Sequence, residues 1–281
     1  MTLLRAACVQ MRSGTEVAPN IAAASRLVRQ AAAAGATLIA TPEMTNLLDI
    51  RPGMARPKIV SQDDDTTLAA FRALAEELGV WLLLGSIAVT VEGDERLANR
   101  SYLIGPDGKI VAQYDKIHMF DVEVGDGQTY RESRAYRPGM SAVLAETAFG
   151  AVGMTICYDL RFPALYRTLA QAGAQILTVP AAFTRVTGEA HWHVLLRARA
   201  IEAGCFVIAS AQGGKHEDGR ETFGHSLIIS PWGEILAEAD GDEPGVIWAD
   251  IDLDQVAKAR DRIPSLSNDQ VFSLNRASGE A

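Results

Sequence analysis

A chain of 281 residues, 48% hydrophobic and 22% charged, is long enough to bury a sizeable core and is composed like an ordinary soluble globular protein. Its 35 acidic against 26 basic side chains leave a formal net charge of −9, which argues against nucleic acid or an anionic membrane surface as partner. Cysteines at 8, 157 and 205 form no C-x-x-C pair, so neither a disulfide framework nor a zinc site is indicated. No apolar run reaches the roughly 18 residues of a membrane span, and a cytoplasmic location is expected.

The first strand is predicted over Leu3–Met11, with Cys8 inside it as a core thiol. The alanine-rich stretch Asn20–Ala34 reads as a helix closed by Gly35. Thr37–Thr41 is a short buried strand that stops at Pro42-Glu43. A carboxylate directly after such a strand sits on the rim where open α/β sheets do chemistry, so Glu43 is a candidate functional residue as well as an ordinary loop residue. Asp49–Asp65 is loop-like, and its terminal aspartates suit a solvated face or a helix cap. Thr67–Leu78 is helical and closed by Gly79, and Val80–Val89 is a strand. After a polar turn at Glu92–Glu95, the strands Asn99–Ile104 and Lys109–Tyr114 form a hairpin across Pro106-Asp107-Gly108. That hairpin ends in Asp115-Lys116-Ile117-His118. It runs into a loop, Met119–Pro138, too long for a plain connection and carrying Tyr130-Arg131-Glu132-Ser133.

Strands Ala142–Thr147 and Ala151–Ile156 lead to Cys157, where the apolar run stops abruptly. Tyr158, Asp159 and Arg161 follow, then Pro163 and the helical spacing of Leu165 and Leu169. A cysteine ending a buried strand is ordinarily a small core residue. Charge packed directly behind it, however, is costly unless paired or used. The pattern fits a thiol nucleophile delivered to a strand-to-helix turn, with backbone N–H groups facing it.

Beyond a helix to Ala172 lies the strand Gln175–Val179. A further strand rim, Pro180-Ala181-Ala182-Phe183-Thr184, offers Phe183 and Thr184 as substrate contacts. Glu189–Ala203 is helical; His191 and His193, two apart, point different ways, so no metal site is expected. Cys205–Ala211, Thr222–Ser230, Glu234–Ala239 and Pro244–Ile251 read as strands and Leu253–Arg262 as a short helix. Ile263–Ala281 is a polar tail that packs on a neighbour or frays. Because β-α-β units alternate with hairpins, an α/β protein with mixed sheets in a single domain, 1–281, is predicted.

Glu43, Lys116 and Cys157 all stand at strand ends. Attack of a thiol on an amide or nitrile needs a base for the thiol proton, a donor for the oxyanion and an acid for the departing nitrogen. A glutamate beside a lysine and a thiol covers all three; His118, close to Lys116, keeps a Cys–His pairing open.

The segments Pro42-Glu43, Tyr114-Asp115-Lys116-Ile117-His118 and Ile156-Cys157-Tyr158-Asp159-Leu160-Arg161-Phe162-Pro163 resemble, in order and spacing, the three signature blocks of the nitrilase superfamily, the carbon–nitrogen hydrolases. The resemblance covers nearly the whole chain. It implies a four-layer α-β-β-α sandwich of two mixed sheets and a Glu–Lys–Cys triad at Glu43, Lys116 and Cys157. Glu132 would be a second glutamate that positions substrate or the lysine, and Lys116 with the Tyr158 N–H would form the oxyanion hole. No cofactor is called for, and a homodimer or larger assembly is implied, meeting near the helix after Cys157 and the C-terminal tail.

Within the superfamily, His118-Met119-Phe120-Asp121, Tyr130-Arg131-Glu132-Ser133, Thr187-Gly188-Glu189-Ala190-His191-Trp192 and Gly224-His225-Ser226 are similar to the branch of deaminated glutathione amidases, which also contains omega-amidase-like enzymes. Ala164 and His193 depart from that branch, where glutamate is common. The resemblance implies thiol-dependent hydrolysis of a small carboxylate-bearing amide through a thioester, with release of ammonia. Arg161 is expected to read the substrate carboxylate, or else to pair with Asp159 or another acid. Hydrolysis of a nitrile or an N-carbamoyl amine by the same triad, and a non-catalytic binding module, are the alternatives.

Overall fold

The computed structural model describes residues 3–125 and 127–276, so the last five residues of the predicted tail lie outside the described residues. The chain opens with β1 (Leu3–Gln10), α1 (Val17–Ala33), β2 (Leu38–Ala40), α2 (Thr66–Leu78) and β3 (Trp81–Val91). These three strands are parallel; β3 then folds back into the antiparallel β4 (Asp94–Ile104) and β5 (Ile110–Asp115). A small hairpin, β6 (Asp121–Glu123) and β7 (Thr129–Arg131), precedes β8 (Val143–Glu146) and β9 (Ala151–Met154). The second half continues with α3 (Pro163–Gln171), β10 (Ile176–Thr178), α4 (Arg185–Ala203) and β11 (Phe206–Ala209). A second hairpin, β12 (Gly213–Lys215) and β13 (Glu221–Phe223), leads to β14 (Leu227–Ile229), β15 (Ile235–Glu238), β16 (Gly245–Asp252) and α5 (Asp254–Arg262).

Two six-stranded sheets result, ordered β16-β1-β2-β3-β4-β5 and β15-β14-β11-β10-β9-β8. Each has three parallel strands at its centre, two antiparallel strands on one flank and one on the other, so both sheets are mixed as predicted. The strand period explains the layering. Ala6 and Cys8 of β1 belong to the core between the sheets, while Ala7 and Val9 belong to the core under α1 and α2. Strands buried on both faces read as unbroken apolar runs, which is why they stand out in the sequence. Helices α3 and α4 cover the far face of the second sheet, completing the order α-β-β-α. Among the described residues no helix is long and apolar enough to cross a membrane.

Some local expectations need correction. The predicted strand Thr222–Ser230 is two strands, because Gly224 (φ +70°) and His225 (φ +52°) turn the chain left-handed between β13 and β14. A Cβ at Gly224 would lie 1.7 Å from the Gly241 carbonyl oxygen, so only glycine fits this break. α4 starts at Arg185, four residues earlier than the apolar spacing indicated, with the Thr184 hydroxyl accepting from the Thr187 N–H as its N-cap. The 119–138 loop is not bare: it carries β6, β7 and a 3-10 turn at Glu132–Arg134. The described start of the C-terminal tail runs beside α3. Arg167 and Gln171 of α3 each donate to a carbonyl there, of Ser265 and Leu266, both at 2.9 Å.

Candidate active site

The two sheets contribute their rims to one place. Glu43 follows β2 and Lys116 follows β5 in the first sheet, whereas Cys157 follows β9 and Ala182 follows β10 in the second. The turn after β2 is shaped by Gly85 on neighbouring β3, where a Cβ would lie 2.0 Å from the Thr41 carbonyl oxygen. Met44 turns left-handed (φ +54°), and its N–H donates to the Ser86 hydroxyl at 3.0 Å, which holds Glu43 inward.

Lys116 Nζ is 3.0 Å from Glu43 Oε1 and 2.9 Å from each oxygen of Glu132. Asn99 Nδ2 donates to Glu43 Oε1 at 2.8 Å, the Ala182 N–H to Glu43 Oε2 at 3.0 Å, and the Phe120 N–H to Glu132 Oε2 at 2.7 Å. These groups are nearly sealed from solvent: Lys116 is 2% exposed, Glu43 4% and Cys157 7%. Burial alone would push the Glu43 carboxyl up, but the Lys116 ammonium and the hydrogen bonds from Cys157, Lys116 and Asn99 hold it below the ordinary value. Burial alone would lower Lys116, yet the two carboxylates drive it well above the ordinary value. Cys157 is pushed well above the ordinary thiol value, first by burial and then by the Glu43 charge, with Lys116 opposing. The resting site is therefore carboxylate, ammonium and neutral thiol.

Cys157 sits at φ +50°, a left-handed conformation unusual for a residue with a Cβ, at the junction of β9 and a 3-10 turn over Cys157–Arg161. Such an elbow swings the side chain out of the sheet. Its N–H donates to the Pro180 carbonyl at 2.9 Å, while the Tyr158 N–H stands in the first turn of the short helix, where backbone donors have no intrahelical acceptor. The elbow is anchored by buried Asp159, which accepts from the Ile156 N–H (2.9 Å), the Tyr114 hydroxyl (2.7 Å) and the His118 N–H (3.1 Å). Arg199 of α4 braces the same turn by donating to the Leu160 carbonyl at 2.9 Å.

A cavity of about 630 Å³ opens over the thiol, within the size range of small-molecule sites. Tyr158, Phe183, Thr184 and Tyr130 line it, with Phe120 packed between Tyr130 and Tyr158 at 5.0 and 5.1 Å. Two predicted contacts lie elsewhere. His118 Nδ1 faces Asp159 Oδ1 at 2.7 Å and its ring stacks on Phe162 at 3.5 Å, so it does not pair with the thiol. Arg161 is not part of the lining either: it meets His191 Nδ1 at 3.3 Å and lies over the Phe183 ring. Nor does Arg161 pair with Asp159, whose oxygens are taken up by Tyr114, His118 and Ile156.

Asn99 and Arg220 were not singled out from the sequence. Asn99 opens the predicted strand Asn99–Ile104 beside the polar Arg100 and Ser101, so it gives no local signal. Arg220 gave none, because the β12–β13 hairpin was not predicted. Its Nε is buried without a hydrogen-bond partner, and it makes no ion pair among the described residues. Four other arginines line the cavity: Arg51 and Arg131 pair with Asp49 and Glu123, both at 2.8 Å, Arg56 donates to the Glu95 carbonyl at 3.4 Å, and Arg134 is exposed, so among the described residues Arg220 alone of the five holds a buried donor without a partner.

Comparison with known proteins gives the family. The carbon–nitrogen hydrolase family matches residues 5–261. A deaminated glutathione amidase of Synechocystis is 41% identical over 266 residues, covering 94% of this chain and 97% of its own length. Among solved structures, the NitFhit protein of C. elegans superposes with a TM-score of 0.88 at 32% identity, over 99% of this chain and 68% of its own. Saccharomyces cerevisiae Nit3, of the nitrilase superfamily, gives 0.85 at 27% identity, over 95% and 96%.

Proposed function

The chain belongs to the carbon–nitrogen hydrolase family and is an amidase-type hydrolase, and from that premise we propose that it cleaves the amide of a small carboxylate-bearing molecule through a thioester on Cys157. The observation that carries this reading is the convergence of Glu43, Lys116 and the Cys157 thiol at the floor of one cavity. Glu43 takes the thiol proton as sulfur attacks the amide carbonyl. Lys116 and the Tyr158 N–H receive the oxyanion, worth roughly 10²–10³ in turnover per donor. Glu43 returns the proton to the departing nitrogen, the amine leaves, and a water deprotonated by Glu43 opens the thioester to a carboxylate and the free thiol. Because the thiol is held neutral at rest, the nucleophile is made as Glu43 takes the proton during attack. Glu132 and Asn99 hold Lys116 and Glu43 in register.

The substrate side rests on Arg220. A guanidinium with a buried, unpartnered Nε beside a cavity is a ready donor to a carboxylate. Together with the cavity's size and the relatives' activity, it favours a peptide-like amide such as deaminated glutathione over a small nitrile. A cytoplasmic homodimer or larger assembly is part of the same reading.

The test is kcat/KM for deaminated glutathione, for its C-terminal carboxamide, for α-ketoglutaramate, for an aliphatic nitrile and for an N-carbamoyl amino acid. Arg220→Ala should lower the value for the acid by about 10- to 100-fold and leave the carboxamide unchanged. Equal losses on both overturn the role of Arg220, and a nitrile as best substrate overturns the substrate class. Cys157→Ala should abolish turnover of all five.

A further inference from the structure

We propose that the protein carries a second ligand site, independent of the cavity: a divalent-metal site built from His193, His225 and Glu238. None of the three lines the cavity. They come from α4, from the left-handed break between β13 and β14, and from the end of β15. His193 Nε2 lies 2.9 Å and His225 Nδ1 2.8 Å from the same oxygen, Glu238 Oε1, and one ligand atom from each residue lies within 4.8 Å of the others. Metal bonds of about 2.0–2.1 Å set ligand–ligand separations of about 2.9–3.4 Å, so two of the three edges already stand at or just under that length.

The claw is held before any ion arrives. The Phe223 ring stacks on His225 at 4.3 Å and meets His193 edge-on at 5.9 Å, so both imidazoles lean on one apolar wall. His225 is kept at φ +52° while its carbonyl accepts from Trp192 Nε1 at 2.8 Å. A left-handed non-glycine residue persists where its surroundings over-determine it, and here it aims Nδ1 at the carboxylate. The three side chains are 29–37% exposed, so an ion can enter from solvent.

Two imidazole nitrogens and one carboxylate oxygen suit zinc, nickel or copper rather than magnesium or calcium, with water completing the coordination. Each imidazole binds through the nitrogen that otherwise donates to Glu238, its proton moving to the other ring nitrogen. The ion would staple α4 to β15. The sequence spacing of His191 and His193 conceals this site, because the partners of His193 lie on other elements.

The test uses full-length protein stripped with EDTA and carrying Cys157→Ala, so that the cavity thiol binds no metal. Calorimetric titration with Zn²⁺ alone should show one saturable equivalent and a raised Tm. Adding His193→Gln, which keeps a donor to Glu238 but removes the imidazole, should weaken binding at least about tenfold and remove the Tm rise. Glu238→Gln should do the same, with circular dichroism and metal-free Tm confirming that each variant folds. No saturable binding, or binding that survives His193→Gln, overturns the site and leaves a hydrogen-bonded His–Glu–His cluster.

Discussion

Cys157 differs from the two other cysteines by its surroundings rather than by its burial. Cys8 and Cys205 are fully enclosed, and burial pushes their thiols up to about 12 and about 11. Cys157 is raised as well, yet it faces a cavity and a carboxylate that can take its proton. Iodoacetamide at neutral pH should therefore modify one thiol per native chain, at Cys157. Glu43→Gln should suppress that labelling strongly, since among the described residues Glu43 is the base that acts on the sulfur; peptide mapping reads both. Labelling of Cys8 in the folded protein, or undiminished labelling of the Glu43→Gln variant, would contradict this account of activation.

The turn after β9 is an element held by one carboxylate. Asp159 joins the elbow to the strand end that delivers Lys116, through Tyr114 and His118. An asparagine would present an N–H₂ group to at least one of these donors. Leaving a buried donor unpaired costs about 1–3 kcal/mol. Asp159→Asn should thus destabilise the fold by at least about 1 kcal/mol in urea unfolding. It should also lower kcat more than it raises KM, because nucleophile and ammonium lose their common reference. A variant with unchanged kcat would show that the elbow keeps its shape without this link.

Acid should weaken the whole molecule in two stages. His216, in the hairpin that carries Arg220, bonds the Ser13 carbonyl and the Thr222 hydroxyl, at 2.9 and 2.7 Å, and burial lowers its pKa. A depressed histidine contributes stability above about pH 6.5 that is lost as pH falls through its folded value. Glu43 is depressed too, so its contribution is present above the ordinary carboxylate range and disappears at still lower pH. Calorimetric Tm should fall from pH 7.5 towards 5.5, and His216→Gln should flatten that first descent. A Tm constant across that interval would rule out the histidine's part.

What could be read from residues alone was whatever local periodicity and strand ends report. Unbroken apolar runs marked the strands buried on both faces, and glutamate, lysine and cysteine stood out by following them. The signature blocks around these residues carried the rest of the fold. Directions of side chains beyond a turn were not legible. Cys157 points into the cavity because its backbone is left-handed, and His118 points to Asp159 because the second sheet brings that carboxylate to it. Arg220 and Asn99 became visible only with pairings across the sheets, as did the partners of His193. The primary sequence by itself determined the layers of the sandwich and the chemical identities at its rims. Tertiary structure alone decided which of the cavity's arginines holds an unpartnered donor and which histidines share a carboxylate, because such contacts join residues far apart in the chain, and no local period encodes them.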